Sequence, residues 1–433
     1  NLTAKTIGRF EAFAWLGAGI LLLFLLSVLL YRCFGAFSQL SASTRLRTGI
    51  TSAIVLAVTG TMWYVQENSK RDFHVEFVSV DEVASRVKYT RKTINDQLKF
   101  SALLKSDKVA ESKPQFDALQ GHDVIVLFVE SYGRSFIDHK RFAELAAARL
   151  DAVEQEVTAA GVGVKSGWIK SPIRGGRSWL AHGTLASGLS LTNHARFDRL
   201  ITSPRKSLHG LFKDAGWTTA VVLPVVSKDW VEGAWYQVDH FFDRDALDYQ
   251  GHDFGYVTMP DQYMLTAFEK LIRKPAEKPL FAHIGLLDSH APWGPLPEHV
   301  PWDEIGDGSI FDGTRRYGER HSWANPVPVR KAYGVAVEQN LKLIGEYIAR
   351  HAQDALFIVV GDHQPASVIA GWAPSSEVPM HVFSTNTKLL ERLPETVFTS
   401  GMRPLKDSDS LLMADVREML ATHFDEFDIY AHK

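Results

Sequence analysis

Cysteine is all but missing: Cys33 is the only one among 433 residues, so no internal disulfide scaffold can hold this chain together. A lone thiol suits a reducing cytosol and an exported protein alike, which leaves the compartment open. An excess of either charge is missing too. Lys and Arg number 47 against 50 Asp and Glu, a net charge of -3, which argues against the strongly basic surface of a nucleic-acid binder. Repeats and low-complexity tracts are absent, and with 45% hydrophobic and 11% aromatic residues the chain can bury a large core instead of staying disordered. Its length suits about three structural units, or one large domain with an appendage.

Two N-terminal stretches lack charge altogether. Phe13 to Leu30 would make about 27 Å of helix, close to the hydrocarbon thickness of a bilayer, and reads as a membrane span. Ile50 to Val65 is shorter but ends on Trp63 and Tyr64, residues that anchor helices at the interface. A buried core helix is the alternative for the second stretch, and an uncleaved signal peptide for the first. The loop between them carries Arg32, Arg45 and Arg47 and no acid, whereas residues 66–75 balance Glu67 and Asp72 against Lys70 and Arg71. The positive-inside tendency therefore places the loop in the cytoplasm and everything after Val65 outside; basic Lys5 and Arg9 pull the other way. The chain opens on Asn1 and not on Met, which leaves room for further spans upstream. We expect a membrane anchor over 1–68, with helices at about 13–30 and 50–65, a juxtamembrane helical connector over 69–117, and a main domain over 118–433. The connector, with VDEVASRVKYTRKTINDQLKFSALL, either packs on the main domain or lies on the membrane surface.

From His122 onward the pattern changes. DVIVLFV (Asp123 to Val129), TTAVVLPVV (Thr218 to Val226), PLFAHIGL (Pro279 to Leu286) and ALFIVV (Ala355 to Val360) are near-continuous apolar runs, the mark of strands buried on both faces. Helical stretches lie between them, including FAELAAARLDAVEQEV and VRKAYGVAVEQNLKLIGEYIAR. Strands alternating with helices predict an α/β fold, a mainly parallel sheet with helices on both faces.

Two of these runs end in metal-ligand residues. DVIVLFV enters Glu130, and ALFIVV passes Gly361 into Asp362 and His363. Parallel strands present their carboxyl ends at one edge, where ligands bind, so these O, O and N donors can converge on one divalent ion such as Zn or Mn. Alternatively Asp362 caps the next turn and His363 packs against it. In SPIRGGRSWLAHGTLASGL (Ser171 to Leu189) a glycine-rich turn feeds a helix beginning near Ser178. A serine there meets unpaired N–H groups and the positive helix end, which favour its alkoxide and a bound phosphate or sulfate. Arg174 and Arg177 add charge for the same anion. The alternative is that Ser178 simply caps the helix. A serine-hydrolase elbow is excluded: the G-x-S-x-G pattern fails at Leu180 around Ser178 and at Val129 around Ser131.

Glu130 after a strand, Ser178, His290 to Pro292 as His-x-Pro, and Gly361 to His363 after a strand together resemble the alkaline phosphatase and sulfatase superfamily. The likeness spans roughly residues 118 to 390, takes in GWTTAVV (Gly216 to Val222), FFDRD (Phe241 to Asp245) and GDHQP (Gly361 to Pro365), and is closest to the lipoteichoic acid synthase and phosphoglycerol transferase branch. The resemblance implies an alkaline phosphatase-like fold carried outside a bacterial cytoplasmic membrane. It implies one divalent ion (Mn or Zn, with Mg possible) held by Glu130, Ser178, Asp362 and His363, with Ser178 also the nucleophile. His290 would contact the substrate phosphate or protonate the leaving group. The implied reaction moves a phosphoalcohol head group, phosphoglycerol first, from a membrane phospholipid to a glycan or lipid acceptor through a phospho-serine.

Departures from the pattern qualify the substrate. Ser178 stands where Thr is common, and lacks the following x-Pro-x-Arg of sulfatases, having Trp179, Leu180, Ala181 and His182. Leu223 replaces a head-group His, and Trp230-Val231-Glu232 keeps the family's Trp but has Glu for its Arg. Glu232 beside Trp230 and Trp235 would suit an ammonium through charge pairing and cation–π contact, which keeps phosphoethanolamine as an alternative; Glu232 could equally face away, cap a turn, or pair with Lys228. A phosphodiester or phosphonate hydrolase shares the first half-reaction, and a metal-free binding protein is the remaining alternative.

Overall fold

The four apolar runs stand side by side in one sheet. In the computed structural model the described residues are 54–55, 57–60, 80–226, 230–254, 256–314, 316–317, 323–371 and 374–426. The chain divides into two compact units, Asn1–Val87 and Lys88–Lys433. The first uncharged stretch lies outside the described residues. Of the second, residues 54–55 and 57–60 are described and are helical. Among the described residues no helix is long and apolar enough to cross a membrane.

In chain order the strands are β1 (Asp123–Val129), β2 (Gly163–Lys170), β3 (Thr218–Val222), β4 (His240–Phe242), β5 (Leu280–Leu286), β6 (Leu296–Pro297), β7 (Arg316–Tyr317), β8 (Ala355–Gly361), β9 (Glu377–Ser384), β10 (Thr399–Ser400) and β11 (Ser410–Leu412). The main sheet runs β10-β2-β9-β8-β1-β5-β3-β4, with β11 on β2, while β6 and β7 pair separately. β1 is parallel to β5 and β8, and β3 is parallel to β5 and β4. β9 is antiparallel to both β8 and β2, and β10 to β2. The sheet is thus mainly parallel, as expected, with β9 and β10 reversed.

β1 is buried on both faces, and its residues divide by the period of two that a strand imposes. Ile125, Leu127 and Val129 enter one core with Leu150 and Val153 of α2 (Ala143–Ala159) and Ile344 and Tyr347 of α6 (Pro326–His351). Val124, Val126 and Phe128 enter the other core with Leu180 of α3 (Ser178–Ser187) and Leu211 of α4 (Leu208–Asp214). Helix α2 buries a stripe at helical spacing, Ala146, Leu150, Val153 and Val157, because that spacing brings them to one side. The long helix α1 (Val80–Leu103) occupies much of the expected connector. Within the second unit, Phe100 packs in the α3 core, and Asp96 pairs with Arg196.

Candidate active site

Val129 is in register with Leu286 on one side and Gly361 on the other, so β1, β5 and β8 end together. The residues that follow them, Glu130, Leu287 to His290, and Asp362 with His363, therefore emerge at one edge of the sheet. The approach is tight at Gly361, where a Cβ would lie 1.9 Å from the carbonyl oxygen of Tyr132. Only glycine lets β8 pass that close.

Ser178 arrives from another direction. Gly175, Gly176 and Arg177 have φ of 66°, 71° and 65°, three consecutive left-handed residues, which glycine adopts freely and arginine at a cost of about 1–2 kcal/mol. Gly175 N–H donates to the Gln364 carbonyl at 3.0 Å and Ser171 Oγ to the Asp362 carbonyl at 2.6 Å, tying this turn to the exit of β8. Arg177 is the N-cap residue of α3, and its side chain makes no cap hydrogen bond. Ser178 is the first helical residue, which removes the capping alternative and leaves its hydroxyl for the site.

That hydroxyl donates to Glu130 Oε2 at 2.7 Å and lies 3.2 Å from His363 Nε2. His363 Nε2 is 3.4 Å from both Glu130 Oε1 and Asp362 Oδ2. Asp362 Oδ1 accepts from the backbone N–H of Ser131 at 2.8 Å and of His363 at 2.6 Å, whereas buried Oδ2 has no hydrogen-bond partner among the described residues. A buried carboxylate oxygen without a partner is costly, and a cation would satisfy it. His363 Nδ1 lies 2.8 Å from the Gln364 carbonyl, a contact that puts a proton on Nδ1 and leaves Nε2 a lone pair, as metal-binding imidazoles require. The ligand atoms of Glu130, Asp362 and His363 lie within 4.8 Å of one another. These donors fit one divalent ion.

The electrostatics agree. Burial, then the charge of Glu130, push the Asp362 carboxyl well above its usual range. Burial acts upward on Glu130 as well, but attraction to His363 and His290, with the hydrogen bond from Ser178, outweighs it, and its net shift is downward. Two buried carboxyl groups at such close quarters share a proton; a cation would take that proton's place.

His290 follows β5. Its Nδ1 lies 2.5 Å from the Ala291 carbonyl, which leaves Nε2 free of that contact, and its ring stacks on Tyr256 with centroids 3.8 Å apart. The turn that carries it is held by Asp261 of α5 (Asp261–Phe268). This buried carboxylate accepts from the N–H groups of Leu287 and Asp288 and from Asn340 Nδ2 at 2.7–2.9 Å.

A cleft of about 340 Å³ joins these groups, lined by Glu130, Arg177, Ser178, His182, His290 and Asp362 together with Trp179, Tyr256 and aliphatic side chains. The structure therefore brings together Glu130, Arg177, Ser178, His290, Asp362 and His363. Trp230 and Glu232 do not line this cleft. Trp230 packs on Tyr236 and Phe241 at centroid distances of 5.0 and 4.6 Å, Glu232 precedes the helix Gly233–Tyr236 without a side-chain cap bond, and Trp235 is buried, donating to the Arg205 carbonyl. Lys228 lies outside the described residues. Arg174 bridges to Gln364. Three lining or supporting residues carried no separate signal in sequence: Tyr256, Asp261 and His182. Only His182 could have been found, since it lies one helical turn after Ser178.

No protein-family model and no curated protein matches the chain. Solved structures that it is similar to include the lipoteichoic acid synthase LtaP of Listeria monocytogenes, at 13% identity, covering 74% of this chain and 78% of that one with a TM-score of 0.48. Another is the integral membrane protein lipooligosaccharide phosphoethanolamine transferase A of Neisseria meningitidis (14% identity, 70% of this chain and 55% of that one, TM-score 0.44). A third is a protein in the alkaline phosphatase superfamily from Vibrio parahaemolyticus (14% identity, 71% and 67%, TM-score 0.42).

Proposed function

We propose that this chain is a metal-dependent phosphotransferase in which Ser178 takes a phosphoalcohol head group, phosphoglycerol first, from a membrane phospholipid and passes it to a glycan or lipid hydroxyl. The observation that carries this reading is the Ser178 hydroxyl, 2.7 Å from Glu130 and 3.2 Å from His363, in one cluster with the Asp362 oxygen that has no hydrogen-bond partner among the described residues. Glu130, Ser178, Asp362 and His363 would hold one divalent ion, Mn or Zn by donor type. When bound, such an ion polarises the phosphoryl oxygen and lowers the pKa of the serine hydroxyl.

The side chains supply the remainder. Ser178 Oγ attacks phosphorus while its proton leaves along the hydrogen bond to Glu130. The bond from phosphorus to the diacylglycerol oxygen breaks, and His290 protonates that oxygen. Arg177, on the cleft wall, offsets the phosphoryl charge. In the second half-reaction the acceptor hydroxyl loses its proton to His290, attacks the phospho-serine and frees Ser178. The uncharged stretches at 13–30 and 50–65 support a donor confined to the bilayer, and the flanking charges support a site on its outer side.

The test uses vesicles carrying phosphatidylglycerol or phosphatidylethanolamine labelled in the head group. Release of diacylglycerol from the first, with the label trapped on the Ser178 peptide, is the expected result. Labelled protein without any acceptor product, water being the sole acceptor, would make the chain a phosphodiester hydrolase; absence of diacylglycerol from both lipids would overturn the reading.

A further inference from the structure

One polar wall of the cleft has no part in the chemistry above. His182 follows Ser178 by one turn on the same face of α3 and is buried, with 8% of its surface exposed. Its ring stacks on Phe128 of β1, centroids 3.9 Å apart and planes 18° from parallel. Its Nδ1 lies 3.0 Å from Nε2 of His283 in β5. His283 is backed in turn by the His209 ring of α4 at 5.4 Å. The ring of His182 is therefore fixed from two sides. Its Nε2 hydrogen-bonds to no described residue, and the side chain lines the cleft.

Phe128, Leu223, Val225, Val226 and Leu287 are among the described residues that line the same cleft. The only carboxylates on the described lining are Glu130 and Asp362, both in the cluster around Ser178, and Arg177 is the remaining permanent charge. Burial lowers the pKa of His182, with repulsion from His283 and His363 adding to it, and burial brings His283 down to about 3. Both rings are neutral, so the pair shares one N–H, and Nε2 of His182 presents either a donor or an acceptor.

We propose that His182, positioned by His283, contacts the transferred head group through Nε2, and that this contact selects an uncharged, hydroxyl-bearing head group of the glycerol type over an ammonium-bearing one. The proposal rests on the phosphoalcohol reading and specifies its substrate. A hydroxyl both donates and accepts, so it satisfies Nε2 in either tautomer. Among the described lining residues an ammonium group would meet aliphatic walls and Arg177, with no carboxylate outside the Ser178 cluster to pair with it.

Calorimetric titration of the Mn²⁺-loaded protein with sn-glycerol 1-phosphate, phosphoethanolamine and inorganic phosphate tests this. The glycerol ester should bind about tenfold more tightly than the ethanolamine ester, the worth of one net hydrogen bond. His182→Phe should weaken glycerol phosphate by about the same factor and leave inorganic phosphate unchanged; His182→Gln, which keeps a donor and an acceptor, should lose less and serves if the Phe variant does not fold. Equal affinities for the two esters in the wild type, or a preference untouched in the folded variants, overturns the role of His182. Binding of inorganic phosphate with neither ester bound overturns instead the phosphoalcohol reading on which it rests.

Discussion

The hydroxyl of Ser178 lies 2.7 Å from Oε2 of Glu130, a residue 48 positions earlier in the chain. Two independent features produce that contact. Glu130 leaves β1 where β5 and β8 also end, and three left-handed residues swing the chain into α3 so that Ser178 faces it. The nucleophile is therefore placed by the sheet edge and a strained turn together.

Ser178→Ala should abolish turnover, by at least about a thousandfold, with the fold intact. Because Ser178 is not the N-cap, the loss of stability should stay near 1 kcal/mol, the net worth of its hydrogen bonds. Retained transfer in this variant, with thermal unfolding as the control, would move the nucleophile elsewhere.

Asp362→Ala and His363→Ala should each lose both metal and activity, since each removes one of the clustered buried donors. Elemental analysis after dialysis measures this directly, and full occupancy in either variant would place the ion at another site.

His290→Ala should cost about 10²–10⁴-fold with a natural lipid and much less with an activated aryl diester, whose leaving oxygen needs no proton. Equal losses on both substrates would reduce His290 to phosphate binding.

Asp261→Asn should alter the pH dependence of stability. Burial, against hydrogen bonds from Leu287, Asp288 and Asn340, raises the Asp261 pKa from 3.8 to about 6. A folded-state pKa above the unfolded one contributes stability that is full below about 3.8 and fades as pH rises through about 6. From pH 5 to 7 the wild type should therefore lose stability relative to this variant, by no more than about 1.4 kcal/mol per pH unit for one proton. Denaturant melts at several pH values would show it; a constant difference contradicts the buried, proton-binding Asp261.

Gly361→Ala should destabilise the protein by about 1–3 kcal/mol, as overpacking does, and impair metal binding as well. The added Cβ would sit 1.9 Å from the Tyr132 carbonyl oxygen, so β8 and the Glu130 loop must part. Unchanged melting together with unchanged metal content would mean that the loop yields freely.

Legibility in sequence varied with the kind of signal. β1, β3, β5 and β8 were readable because buried parallel strands are continuous apolar runs, although β3 stops at Val222, not Val226. β2 (GVKSGWIK) and β9 (EVPMHVFS) were missed, since Lys, Gly, Pro and His interrupt them, and their strand character comes from pairing with each other and with β8. Four motifs resemble those of the alkaline phosphatase and sulfatase superfamily, because residues at strand ends and helix starts keep their order along the chain. Asp261 left no trace, because a buried aspartate that holds a distant turn looks like any polar residue in a helix.

By itself the sequence determined the alternation of strands with helices and put Glu130, Asp362 and His363 at strand ends, since periodicity and strand termini are properties of neighbouring residues. Tertiary structure alone decided the rest: that β1 and β8 are adjacent and in register, that Arg177 adopts a left-handed conformation and frees Ser178 from capping, that Trp230 and Glu232 lie off the cleft lining, and that His182, backed by His283, forms part of its wall. These depend on contacts between residues tens to hundreds of positions apart, which the order of residues along a chain does not display.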